Sequence, residues 1–192
     1  MKIVGLTGGI GSGKSKALTF FKNKGIPCYQ ADLAGHKVLN ENPEVKAKVK
    51  AYFGSEIYTS KGLDRKALGK QVFNNQEALQ FLNGIVHPAV RLDFQNFIEE
   101  QQAPFIVSEV AILFENGGEK RYDKIILLTA PEALRIERVM ARDGVSETEV
   151  RQRMQKQWTD AQKIPLADYV IDNTHWTTTE NELEWVYKEL LQ

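Results

Sequence analysis

Gly8, four further residues, and then Gly13-Lys14-Ser15 are the residues of this chain whose types and spacing point most directly to chemistry. Glycines at 8, 9, 11 and 13 allow successive backbone N–H groups to turn toward one point without Cβ collisions, which makes a nest for polyphosphate. Lys14 can place its ammonium between the outer phosphates, and the Ser15 hydroxyl can ligate a Mg²⁺ that bridges them. The spacing is that of a P-loop. Gly8, Gly9, Gly11, Ser12, Gly13, Lys14, Ser15 and Lys16 are therefore candidate nucleotide contacts, with Ser15 the candidate metal ligand. A ligand-free glycine turn is the bland alternative. The apolar run before the glycines and the helix-forming Lys16-Ala17-Leu18 after them favour the nest.

Transfer of a phosphoryl group asks a protein mainly for positioning and for compensation of negative charge. Asp32 follows a short apolar stretch, where its carboxylate can accept or align a hydroxyl proton, and it suits a helix N-cap equally well. Arg135, Arg138 and Arg142 are three and four apart and share one helical face. That face can close over phosphates as a lid, although Glu132, Glu137 and Asp143 among the arginines also suit a solvated stripe. Glu109 can reach a metal through water or bond to the glycine loop. His87, before Pro88, reads as a helix-junction residue, and Trp158, Trp176 and Trp185 as packing aromatics.

These groups need elements to hold them. Strands are expected over 2–7, 26–29, 105–113, 124–129 and 169–171, separated by helical patterns. The alternation predicts a parallel sheet covered on both faces. Residues 146–149, Ser-Glu-Thr-Glu, form a capping box for a helix reaching Trp158. The region 61–102 reads as three helices with no convincing strand, the third opened by Pro88, and is too long for an ordinary connection. The expected organisation is one domain, 1–192. It comprises a core of 1–60 and 103–192, a helical acceptor-binding subdomain of about 61–102, and a lid of about 138–152.

The 25 basic and 25 acidic side chains cancel, so nothing global points to nucleic acid or an anionic membrane, and any attraction for phosphate is local. Cys28 has no second cysteine to pair with, which suits a reducing compartment. The N-terminus lacks a secretory pattern and no apolar run approaches ~20 residues, so a cytoplasmic protein is expected.

Over nearly its full length the chain resembles the dephospho-coenzyme A kinase family. The carrying stretches are residues 5–15, Ala31-Asp32, Leu82-Asn83 with Ile85 and His87-Pro88, and Leu113-Phe114-Glu115. Arg138, Arg142, Arg153, Gln157, Lys163, Ala167-Asp168 and Val170-Ile171-Asp172-Asn173 complete them. The resemblance implies an α/β P-loop fold with a five-stranded parallel sheet, a helical acceptor-binding insertion and a lid. It implies transfer of the γ-phosphoryl of ATP, with Mg²⁺, to the ribose 3′-hydroxyl of dephospho-coenzyme A. On that resemblance Asp32 is the base, Lys14, Arg138 and Arg142 act on the transferred group, Asn173 lies near the adenosine of ATP, and His87 and Leu113 join Asp32 at the acceptor. The implied partners are the two small-molecule substrates, with no nucleic acid or membrane, in a monomer or weak homo-oligomer. Gln30 departs from the pattern, standing where the family usually has an aspartate; Glu109 and Ala111 depart in the following acidic segment, Lys16 where a threonine is common and Arg135 where a glutamine is frequent. The alternatives are another small-metabolite or nucleotide kinase, and a nucleotide-binding switch; the latter lacks a guanine-reading Asn-Lys-x-Asp segment, since Asn23-Lys24-Gly25-Ile26 has no aspartate.

Overall fold

The computed structural model describes residues 1–73 and 75–192; Asn74, inside the expected helical region, lies outside the described residues. The chain begins with β1 (Lys2–Gly8), α1 (Lys14–Asn23), β2 (Cys28–Gln30), α2 (Ala31–Glu41) and α3 (Pro43–Phe53). A short hairpin of β3 (Tyr58–Thr59) and β4 (Gly62–Leu63) precedes α4 (Arg65–Phe73) and the long α5 (Gln76–Glu99). β5 (Phe105–Glu109), β6 (Lys124–Thr129), α6 (Glu132–Asp143) and α7 (Glu147–Met154) follow, then α8 (Asp160–Lys163), β7 (Tyr169–Asp172) and α9 (Trp176–Leu190).

The chain divides into two compact units, 1–30 with 101–192, and 31–100. The first is a five-stranded sheet in the order β2-β5-β1-β6-β7, with every pairing parallel. The strands with the longest apolar runs lie innermost, as burial on both faces requires: Val4 and Leu6 of β1 and Ile126 to Leu128 of β6 are fully enclosed. Leu18 and Phe21 of α1 and Leu183 and Val186 of α9 pack with Val4, Phe105, Val107 and Ile171 in one cluster. A second cluster joins Leu113, Phe114 and Ile125. The expected strand over 105–113 stops at Glu109. Val110 still donates its N–H to Leu6, but Gly117 and Gly118 bond back to Phe114 and Leu113 and turn the chain. Val110, Leu113 and Phe114 beyond Glu109 thus fill a cluster under a turn, which an apolar run alone cannot distinguish from strand.

The second unit packs α2, α3, α4 and α5 around Val38, Val45, Val49, Phe53, Ile57 and Leu68. It begins at Ala31 rather than near 61, because the apolar faces of α2 and α3 are buried in this core. The hairpin β3–β4 is a difference from the strandless expectation, with Asn40 Oδ1 accepting the Leu63 N–H at 2.9 Å. Pro88 does not open a helix; it lies inside α5, which runs unbroken from Gln76 to Glu99. Proline cannot donate to the carbonyl four residues back and its ring crowds that carbonyl. Here that residue is Gly84, the most adjustable backbone available, and a Cβ there would meet open space. Asn75 starts the helix by accepting the Ala78 N–H.

Candidate active site

Between the end of β1 and the start of α1 the chain turns through Gly11 (φ +80°) and Gly13 (φ +96°), left-handed conformations that glycine adopts without strain. The turn is held from outside. A Cβ on Gly13 would collide with the Asn173 carboxamide, and one on Gly11 would lie 2.9 Å from the Cα and Cβ of Arg135. Asn173, just beyond β7, is 3 % exposed; its Nδ2 donates to the Ser12 carbonyl at 2.7 Å and its Oδ1 accepts from Thr179 at 3.1 Å. On the other flank the Gln157 carboxamide accepts the Ile10 N–H at 2.8 Å and donates to the Ala111 carbonyl. Lys14 reaches back over the loop, its ammonium donating to the Gly8 and Gly9 carbonyls at 2.8 and 3.3 Å. Lys16 instead points to the Trp176 ring, 3.9 Å from its centroid.

Sheet register brings a second set of groups to this loop. Glu109, the last residue of β5, pairs with Gln30, the last residue of β2, on one side and with Leu6 on the other, so two strand ends finish at one level beside β1, two residues before β1 itself ends. The Glu109 carboxylate accepts from the Ser15 hydroxyl at 3.3 Å and from Gln30 Nε2 at 2.9 Å. Ser15 and Glu109 supply hard oxygens of the kind Mg²⁺ prefers. Among the described residues no group of three histidine, cysteine or acidic side chains could cage a metal. That donor set fits a Mg²⁺ held mainly by phosphate and water, with one protein hydroxyl.

The three arginines of α6 have separate environments. Arg135 is 12 % exposed, lies against Gly9 and Gly11, and pairs with Asp160 at 3.2 Å. Arg138 donates through Nη2 to the Asn173 carbonyl at 2.8 Å. Arg135 Nε and Arg138 Nη1 are buried with no hydrogen-bond partner among the described residues, so unsatisfied cationic donors lie close to the glycine loop and its brace. Arg142 is 61 % exposed and pairs with the adjacent Asp143, whose carboxyl its hydrogen bond holds below the usual aspartate range. Beyond α7, whose capping box of Ser146 and Glu149 forms as expected, Lys163 approaches Glu115 at 2.8 Å, and Glu115 accepts the Trp158 N–H. Lys163 is fully buried and Glu115 is 10 % exposed.

Asp32 and His87 belong to the second unit. Asp32 is exposed in the first turn of α2, two residues past the end of β2, and is not the helix cap. Four residues on, burial and then Arg65 hold the His36 imidazole below its usual range, against the opposing charge of Asp32. His87 is exposed within α5. Leu113 is 1 % exposed in the cluster with Phe114 and Ile125, and its side chain offers no free surface to an acceptor.

The protein-family model described as dephospho-CoA kinase matches residues 2–178. The chain belongs to the dephospho-CoA kinase family. It is 40 % identical over 177 residues to the Salinibacter ruber dephospho-CoA kinase, covering 90 % of this chain and 89 % of the relative. With that of Chlorobaculum tepidum the identity is 37 %, over 98 % of this chain and 95 % of the relative. Among solved structures, one from Thermus thermophilus superposes with a TM-score of 0.89 at 33 % identity, covering 98 % and 97 % of the two chains. The Campylobacter jejuni dephospho-CoA kinase superposes at 0.64 and 29 %, with the same coverage. An Acinetobacter baumannii shikimate kinase, at 12 % identity and 0.52, shares the fold alone.

Sequence reasoning did not assign Gln157 to the loop, and it treated Asn173 only as a neighbour of adenosine. Both make single hydrogen bonds to loop backbone across more than a hundred residues. No local periodicity encodes such contacts; only the family pattern, which includes both positions, carries a signal. Arg135 was visible as one of three arginines on a face, but not as the one against the glycines.

Proposed function

We propose that this dephospho-CoA kinase family member transfers the γ-phosphoryl of ATP to the ribose 3′-hydroxyl of dephospho-coenzyme A. The activity is that of the family: ATP-dependent phosphorylation of dephospho-CoA in coenzyme A synthesis. The observation that carries the reading is the braced glycine loop at the end of β1, with Lys14 across it and Ser15 opening the next helix. Its amides and the N-terminus of α1 bind the polyphosphate. Lys14 then exchanges its carbonyl partners for phosphate oxygens. Arg138 and Arg142, on a lid of about 138–152, compensate charge on the transferred group, and Arg135, whose guanidinium lies against Gly9 and whose buried Nε has no hydrogen-bond partner among the described residues, is suited to the same task. Asp32 aligns the acceptor hydroxyl; its exposure and its place just past a strand's carboxyl end suit a ligand-facing carboxylate. His87 serves the acceptor from the helical unit. Asn173 supports the loop that holds ATP, and its backbone carbonyl orients Arg138.

Mg²⁺, when bound at Ser15, neutralises charge shared by the outer phosphates. Glu109 and Ser15 are the side chains that would hold it, the first through water. The reading extends to a cytoplasmic monomer or weak homo-oligomer; among the described residues no helix is long and apolar enough to cross a membrane. The test is an acceptor panel. With ATP and Mg²⁺ the purified protein releases ADP only when dephospho-coenzyme A is supplied; equal turnover with shikimate, gluconate or a nucleoside monophosphate refutes the assignment.

A further inference from the structure

At the carboxyl edge of the sheet, four side chains form a line that ends on Ser15. Lys22 Nζ donates to Gln30 Oε1 at 3.4 Å, Gln30 Nε2 donates to Glu109 Oε2 at 2.9 Å, and Ser15 donates to Glu109 Oε1 at 3.3 Å. Parallel register places Gln30 directly beside Glu109, so their side chains leave the same face of neighbouring strands. The orientation of the amide is forced. An ammonium only donates and a carboxylate only accepts, so the oxygen of Gln30 must face Lys22 and its nitrogen Glu109. Rotating the amide would create two mismatches at once.

We propose that Gln30 is a positioning residue: it holds Glu109 beside Ser15, and the Glu109 carboxylate in turn anchors metal-bound water. The inference rests on the kinase reading above. Glu109 has three side-chain torsions and is only half-buried, so without a second donor its carboxylate can swing away from the loop. With Gln30 on one oxygen, the other remains at the Ser15 hydroxyl. Ser15 gives its single proton to Glu109, which turns its lone pairs away from the carboxylate and leaves them for a cation. An acidic residue at position 30 would face Glu109 as a second acceptor-only group and repel it. The neutral amide is what allows a glutamate at 109 to be held here, so the two departures from the family pattern act together.

Calorimetric binding of ADP with EDTA and then with Mg²⁺ tests this without relying on turnover. Wild-type protein binds ADP more tightly when Mg²⁺ is present. Gln30→Leu and Gln30→Glu leave the metal-free affinity unchanged and cut the Mg²⁺-dependent gain by about tenfold, the usual scale for outer-shell partners of a metal site. Lys22→Met, at an exposed position, produces a smaller loss in the same direction and stands in if a Gln30 variant fails to fold. Variants that retain the full Mg²⁺ gain, in a wild-type background that shows one, overturn the role of Gln30 alone. A wild-type affinity indifferent to Mg²⁺, or no turnover of dephospho-coenzyme A, overturns the kinase reading with it.

Discussion

Replacing Lys163 by methionine should destabilise this protein by about 3–5 kcal/mol, because it strands a buried carboxylate. Lys163 has no exposed surface and Glu115 is 10 % exposed, with Nζ and Oε1 2.8 Å apart. Methionine matches the length and volume of the lysine stem, so little cavity is made. What is lost is the charge that justified burying Glu115, which keeps only the Trp158 N–H at 2.9 Å. On a total stability of about 5–15 kcal/mol this is a large fraction. In urea denaturation it appears as a midpoint lowered by roughly 1–2 M with the slope unchanged. Neutralising both partners, Lys163→Met with Glu115→Gln, removes the stranded charge while leaving an acceptor for Trp158, and should recover much of the loss. Lys124→Met is the control, since its pair with Asp168 is 45 % and 34 % exposed and its loss should be small. If Lys163→Met and Lys124→Met cost the same, or if the double variant is no more stable than Lys163→Met, the desolvation argument is wrong.

Asp32→Asn keeps the shape of the first turn of α2 and removes the proposed proton acceptor. Its kcat should fall by about 10²–10⁴ while ATP affinity measured by calorimetry stays near wild type; retained turnover would reduce Asp32 to a surface carboxylate. The Cys28 thiol is pushed from 9.0 up to about 12, chiefly by burial, with Lys22 opposing and Glu109 adding to the rise. Alkylation by iodoacetamide at pH 8 should therefore run roughly a thousandfold slower than at a thiol of pKa 9, and a rate like that of a free thiol would contradict the burial. Between pH 9 and about 12 the unfolded chain has lost this proton and the native chain has not, so this thiol makes folding stability fall as pH rises through that window.

The five-stranded parallel sheet and the glycine loop were legible because their signals are local: apolar runs, punctuating glycines and a fixed spacing. The capping box at Ser146 was legible for the same reason. What local pattern could not give was where an apolar run stops being strand. Residues 110–114 are as apolar as a buried strand, yet Leu113 and Phe114 are buried in a cluster under a turn and Ile112 is exposed. Pro88 misled in the opposite direction, since its cost depends on the residue four positions earlier, and Gly84 makes a continuous α5 tolerable. At the site, residue types announced Lys14, Ser15 and Asp32, and the reach of Glu109 to the loop, whereas its partner Gln30 follows from strand register, which no single strand encodes.

The glycine loop is shaped less by its glycines than by three side chains distant in sequence. Glycine permits the left-handed turns at 11 and 13 but does not select them, since an unbraced glycine visits many conformations. Selection comes from Asn173 on the Ser12 carbonyl, Gln157 on the Ile10 N–H, and Arg135 filling the space that side chains at 9 and 11 would occupy. Each brace comes from a segment following β6, so strand order places the support and the phosphate nest at the same end of the sheet. The Ile10 amide is committed to Gln157 and is withdrawn from phosphate binding. On the proposed reading, the nest is formed by the remaining loop amides and the first amides of α1, where Lys14 and Ser15 begin the helix.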